Sequence, residues 1–102
     1  MTLLLEDGRQ LAMSDGTLRI GRALDNDLVI ADSRVSRYHA QIVRHGRESV
    51  VRDLGSTNGT AVQGRVVSEG RLDDGVLLSI GGFRIQVRVG PAAGPSAAPG
   101  RG

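Results

Sequence analysis

The chain has 102 residues, a length that fits one domain. Hydrophobic residues make up 39%, but the aromatics are only Tyr38 and Phe83, so the core must be aliphatic; with no cysteine, a disulfide framework and a cysteine-ligated zinc site are excluded. All thirteen basic residues are arginine, and they are interleaved with eleven acids to a formal charge of +2, so no block forms a nucleic-acid-binding arm.

Arginine is the better fork for phosphate and carboxylate, although a GC-rich genome also favours arginine codons. No segment reaches the roughly 20 apolar residues of a membrane span. The opening "MTLLLEDGRQ" lacks the basic flank and long apolar run of a signal peptide. The expectation is a cytoplasmic domain.

In chain order, the sequence reads as short strands separated by turn signals. "TLLLE" (2–6) precedes Asp7-Gly8, and Asp15-Gly16 precedes "TLRI" (17–20). "DLVI" (27–30), "HAQIV" (39–43), "SVVRDL" (49–54) and "TAVQ" (60–63) follow, with His45-Gly46, Asn58-Gly59 and Gln63-Gly64 as punctuation. After Asp73-Asp74-Gly75 comes "VLLSI" (76–80), which places Val76, Leu78 and Ile80 on one face. Gly81-Gly82 joins it as a hairpin to "FRIQVRV" (83–89), where Phe83, Ile85, Val87 and Val89 alternate with Arg84, Gln86 and Arg88. Leu24 and Leu28 are four apart, but Asp25-Asn26-Asp27 between them is poor helix chemistry. Many short strands at this spacing predict an all-β sandwich or barrel without helix. The folded domain is expected over residues 1–90. The last segment, 91–102, contains only Pro, Ala, Gly, Ser and one Arg, and reads as a disordered tail or linker. A linker makes the chain the N-terminal part of a larger, bacterial protein.

Three loops carry polar residues that look out of place: Gly21-Arg22, "SRVSRYHA" (33–40) and "GSTNGT" (55–60). In a sandwich, loops from different strands collect at two ends. If these three converge, they supply the guanidiniums of Arg22 and Arg37, the hydroxyls of Ser36, Ser56 and Thr57, the Asn58 amide and glycine-flanked N–H groups. A donor set without a carboxylate suits an anion with several acceptor oxygens, and phosphate fits best. Plainer readings stand beside this one. Arg22 is equally a solvated surface arginine, Asn58-Gly59 a type I′ hairpin turn, and His39 a structural histidine.

Other chemistry fails. Ser36, His39 and Asp53 invite a hydrolase triad, but no nucleophile elbow or oxyanion-hole motif accompanies them. His39 and His45 lack further metal ligands nearby, and "DND" at 25–27 lacks the glycine and distal glutamate of a calcium loop. No metal, cofactor or catalytic activity is expected. Asn58-Gly59-Thr60 matches a glycosylation sequon without a secretion signal.

The order Gly21-Arg22, Ser36-Arg37-Tyr38-His39 and Asp53-Leu54-Gly55-Ser56-Thr57-Asn58-Gly59-Thr60 resembles the forkhead-associated (FHA) domain family, over residues 1 to about 90. The resemblance implies an eleven-stranded antiparallel β-sandwich that binds peptides containing phosphothreonine, the products of Ser/Thr protein kinases, as a monomer without catalysis. By position, Arg22 and Ser36 would hold the phosphate and Arg37 would add a second positive group. Thr57 would contribute beside the phosphothreonine, and Asn58 would grip the peptide backbone. Gly21, His39 and Gly59 would support the site. The alternative is an FHA scaffold making phosphate-independent protein contacts. Two departures from the family pattern, Ala61 and Gln63, follow the binding loop and bear on local strand packing.

Overall fold

The computed structural model describes residues 1–90; the tail 91–102, expected to be disordered, lies outside the described residues. Eleven strands form in the order β1 (Thr2–Leu5), β2 (Gln10–Ala12), β3 (Gly16–Gly21), β4 (Leu28–Val29), β5 (Ala40–His45), β6 (Glu48–Asp53), β7 (Thr60–Val62), β8 (Arg65–Val67), β9 (Glu69–Arg71), β10 (Leu77–Ile80) and β11 (Phe83–Arg88). No helix occurs among the described residues.

Alternation decides which side chains are buried. In β11, Phe83, Ile85 and Val87 are buried while Arg84 and Arg88 are exposed, as the period of two requires. The inward residues of both sheets meet in one cluster, with Leu3, Ile20, Ile42, Val51, Leu78 and Ile85 wholly excluded from solvent. Full burial of such a side chain contributes about 1.5–3 kcal/mol. The core is aliphatic apart from Phe83; the other aromatic, Tyr38, is exposed.

One sheet has six strands in the order β2-β1-β11-β10-β7-β8, and the other has five in the order β4-β3-β5-β6-β9. Every pairing but one is antiparallel. The exception is β4, which runs parallel to β3 with Ile20 opposite Leu28 and Gly21 opposite Val29. A tight hairpin would have forced antiparallel pairing. Here residues 22–27 loop back before pairing, and Ile30 N–H donates to the Gly21 carbonyl at 2.9 Å.

Two hairpins use paired positive φ angles, as a type I′ turn demands. They are Gly81-Gly82 (φ 61° and 99°) and Gln63-Gly64 (52° and 79°). Asn58-Gly59 is not one of them: only Gly59 has positive φ, at 88°. The pair therefore belongs to an irregular loop between β6 and β7, and the type I′ reading fails there.

Backbone hydrogen bonds gather the loops at one pole of the sandwich. His39 N–H donates to Ile20 O and Leu54 N–H to His39 O, both at 2.9 Å. Gly81 N–H, in the β10–β11 hairpin, donates to Gly59 O at 2.9 Å. Ends of both sheets are thereby tied around residues 54–59.

Candidate functional site

The three polar loops do converge. Arg22, Ser36, Arg37, Thr57 and Asn58 all line one open cleft of about 500 Å³. No aspartate or glutamate lines it. Arg34 also lines it, but its guanidinium is engaged by Asp32 through Nε at 3.0 Å and Nη2 at 2.7 Å. Hydrogen bonds from the Arg34 side chain, then from its backbone N–H, hold the Asp32 carboxyl down at about 2. Neither Arg22 nor Arg37 forms an ion pair among the described residues.

Ser36 is fixed on every side except the one facing the cleft. Its carbonyl accepts the Arg22 N–H at 3.0 Å, and its own N–H donates to His39 Nδ1 at 3.0 Å. Its Oγ accepts the Thr57 N–H at 3.0 Å. The hydroxyl proton remains free to donate, since a hydroxyl carries one proton and two lone pairs. The Arg22 Nε donates to Val35 O at 3.0 Å, which holds the guanidinium by one nitrogen and leaves the other two. Asn58 Nδ2 donates to Arg34 O at 2.7 Å, so its Oδ1 is the atom left to accept.

His39 is completely buried, as a bracing residue would be. Because Nδ1 accepts from Ser36, the proton sits on Nε2, which donates to Gly59 O at 2.8 Å. The ring thus links the second and third loops. Gly21 is where the backbones of the first two loops come together: an added Cβ would lie 2.1 Å from Arg37 O. Gly55 and Gly59 take φ of 81° and 88°, which open the third loop at both ends.

The triad geometry is absent. Both ring nitrogens of His39 are occupied by backbone groups, and Ser36 Oγ meets Thr57 N–H instead of a base. The Asp53 carboxylate is consumed by the third loop, accepting the N–H groups of Gly55 and Ser56 at 3.0 Å and the hydroxyls of Ser56 and Thr60. Burial pushes the Asp53 carboxyl up, but these hydrogen bonds outweigh it and leave it below the usual carboxylate range.

Asp53 and Asn26 organise the site without having been singled out for it in the sequence. Asp53 had a legible signal, an Asx-type "DLGS" in which the side chain caps N–H groups two and three residues on. Asn26 had none. It is buried, and its Nδ2 donates to Ala23 O and Arg37 O, both at 2.8 Å. The reversed amide would set oxygen against two carbonyls, so the orientation is fixed, although Oδ1 has no partner among the described residues. The neighbouring aspartates are structural too. Asp25 accepts the Tyr38 hydroxyl at 3.0 Å and Asp27 accepts the Arg19 N–H at 2.8 Å. Asp25 is also the main reason the Tyr38 phenol is pushed above its usual value. Among the described residues, no group of histidine, aspartate and glutamate is placed to hold a metal ion.

The FHA domain family model matches residues 18–81, which contain all three loops. The chain belongs to the FHA domain family. It is 38% identical over 91 residues to the FHA domain-containing protein FhaA of Mycobacterium tuberculosis, covering 87% of this chain and 17% of FhaA. The FHA domain thus spans less than a fifth of that relative. Among solved structures, it matches one from a structural and functional analysis of phosphothreonine-dependent FHA domain interactions. That match has a TM-score of 0.84 at 39% identity, covering 88% of this chain and 96% of the other. Mycobacterium tuberculosis EmbR in complex with a low-affinity phosphopeptide matches with a TM-score of 0.80 at 34% identity, covering 99% of this chain and 25% of EmbR. The two departures, Ala61 and Gln63, are absorbed in β7 and its turn. Ala61 pairs with Ser79 and Val66, and Gln63 Oε1 accepts the Leu77 N–H at 2.6 Å.

Proposed function

We propose that this FHA domain binds proteins or peptides phosphorylated on threonine, and does so without catalysing a reaction. One observation carries the reading: four donor side chains, Arg22, Ser36, Arg37 and Thr57, and the Asn58 amide converge from three loops on a cleft that no carboxylate lines. Arg22 supplies its two remaining guanidinium nitrogens and Ser36 its hydroxyl proton to the phosphate. Arg37 adds a second positive charge, and Thr57 a hydroxyl beside the phosphothreonine. Asn58 Oδ1 accepts an N–H of the bound peptide. Gly21, His39 and Gly59 hold the loops in register. The phosphothreonine-dependent interactions and the phosphopeptide complex of the structurally similar domains support the same ligand class here.

A phosphothreonine carries about −1.5 to −2 at pH 7. Each hydrogen bond to a charged group is worth about 1.5–3 kcal/mol, so two or three make binding depend strictly on phosphorylation. The partner is then the product of a Ser/Thr protein kinase, and the domain acts in cytoplasmic kinase signalling as a monomer without nucleic acid, metal or cofactor. Among the described residues no helix is long and apolar enough to cross a membrane.

Calorimetry with matched phosphorylated and unphosphorylated threonine peptides tests the reading. Arg22→Ala should weaken phosphopeptide binding roughly 10- to 100-fold, the equivalent of one charge-assisted hydrogen bond, with the fold unchanged. A folded variant binding within about a factor of two of the wild type, below what any such bond is worth, would remove Arg22 from the phosphate. Equal binding of both peptides by the wild type would favour phosphate-independent contacts.

A further inference from the structure

Asn58 and Asn26 are the two asparagines of the chain, and only Asn58 is followed by glycine. An exposed Asn-Gly step can convert itself without an enzyme, because glycine carries no side chain to shield its own nitrogen. The Gly59 nitrogen, losing its proton, attacks the Asn58 side-chain carbonyl carbon. The bond from that carbon to Nδ2 breaks, ammonia leaves, and a five-membered imide forms. Water then opens the imide at either carbonyl, giving a carboxylate on a normal or a rearranged backbone. One ammonia is lost and one water gained.

Asn58 is exposed, so solvent reaches the reacting carbon. Yet every group the reaction needs is held elsewhere. The attacking Gly59 N–H donates to Ser56 Oγ at 3.0 Å, and the Ser56 hydroxyl is itself anchored on Asp53 Oδ1. The departing Nδ2 donates to Arg34 O at 2.7 Å. The Gly59 carbonyl accepts from His39 Nε2 at 2.8 Å and Gly81 N–H at 2.9 Å. Cyclisation requires reacting atoms about 3–3.5 Å apart with aligned orbitals. Deprotonating the Gly59 nitrogen costs its bond to Ser56 Oγ, and releasing Nδ2 as ammonia costs its bond to the Arg34 carbonyl.

We propose that Asn58-Gly59 is a latent self-modification site that Ser56 and the Arg34 carbonyl hold shut. Opening the loop arms a one-way conversion that places a carboxylate in a cleft otherwise free of them. Ser56 therefore guards the chemical identity of the site as well as its shape. The consequence for ligand affinity rests on the phosphothreonine reading; the conversion itself does not.

The test follows conversion at 37 °C and pH 8 by mass spectrometry, with peptide mapping to position 58. A synthetic peptide of residues 53–62 serves as the unfolded reference. The folded wild type should convert at least roughly tenfold more slowly than the peptide, the scale on which misplaced reacting atoms lose rate. Ser56→Ala should convert several-fold faster than the wild type, and Ser56→Thr, which keeps Oγ, should restore the slow rate. Chemical shifts of the core methyl groups establish that each variant is folded. A wild-type rate matching the peptide, or a folded Ser56→Ala no faster than the wild type, overturns the proposal. So does fast conversion of Ser56→Thr with its loop intact. Asn58→Asp should lose at least roughly tenfold in phosphothreonine-peptide affinity, because the new carboxylate repels the phosphate dianion and can no longer donate to the Arg34 carbonyl that fixes the loop, a loss on the scale of one hydrogen bond to a charged group. If the wild type binds no such peptide, the proposed function fails while the mass measurement stands.

Discussion

A methyl group on Gly21 would sit 2.1 Å from the Arg37 carbonyl oxygen and 2.8 Å from Asn26 Nδ2. That is a packing demand, since the φ of Gly21 is not in the left-handed region. The Arg37 carbonyl it crowds already accepts from Ala23 N–H and Asn26 Nδ2. Any side chain at position 21 must push that carbonyl away and break the junction of the first two loops. Gly21→Ala should therefore destabilise the domain by about 1–3 kcal/mol, the usual cost of overpacking. Roughly 4–8 °C of melting temperature per kcal/mol follows for a domain of this size. Phosphopeptide affinity should fall with it, because Ser36 and Arg37 move together. A variant that melts with the wild type would show that the loops have slack the close approach denies.

Among the elements, those with clean alternation or β-rich runs were legible, and the rest share a cause. Strands β1, β4, β7, β10 and β11 fall within runs that the sequence marks, and β3, β5 and β6 overlap their runs but extend one or two residues beyond them. Strands β2, β8 and β9 are three residues each and lie at sheet edges, where only one neighbour constrains them. β9 reads Glu69-Gly70-Arg71, with no apolar residue to signal it. Its glycine is closely packed: a Cβ there would lie 3.0 and 3.2 Å from methyl groups of Val62 and Val67, which would have to give by a few tenths of an ångström. The site was more legible than the sheets' edges. Donors clustered in loops without carboxylates announce an anion, whereas Asn26 and Asp53 bind only their own chain and look like ordinary turn residues. The β7–β8 turn tests the same local logic. Gln63 is the one non-glycine residue with positive φ among the described residues. Strain there is of order 1–2 kcal/mol. Both Gln63→Ala and Gln63→Gly lose the Oε1 bond to Leu77, but only glycine relieves the strain. The glycine variant should melt at the higher temperature, against the ordinary disadvantage of glycine in folded chains. The opposite order would mean that the turn adopts another conformation in solution.

For the whole molecule, a formal charge of +2 is too small to draw an anion from afar. On the proposed reading, attraction comes from Arg22 and Arg37 at close range, within a Debye length of about 8 Å at physiological salt. Binding should then follow the charge of the ligand. Phosphothreonine has a second pKa of about 6, and both arginines stay charged throughout. His39 faces backbone partners at both ring nitrogens, which leaves neither for a ligand. His45 lies at the end of β5 away from the cleft. Asp53 stays charged across the range in which the ligand titrates. Its folded pKa is depressed, so its contribution to the loop is complete above the unfolded value of about 3.9 and is lost only as pH falls through the lower folded value. The site is therefore intact from pH 7.5 to 5.5 while the ligand protonates. If only the dianion binds, affinity should drop about fourfold over that range, following the fraction of dianion. Asn58→Ala should weaken binding at every pH without changing that slope, because Asn58 Oδ1 is assigned to the peptide backbone. Calorimetric titrations of both proteins across the range measure the two slopes. An affinity that stays flat or rises toward pH 5.5 would mean that the cleft accepts the monoanion. A slope abolished by Asn58→Ala would move the Asn58 amide onto the phosphate.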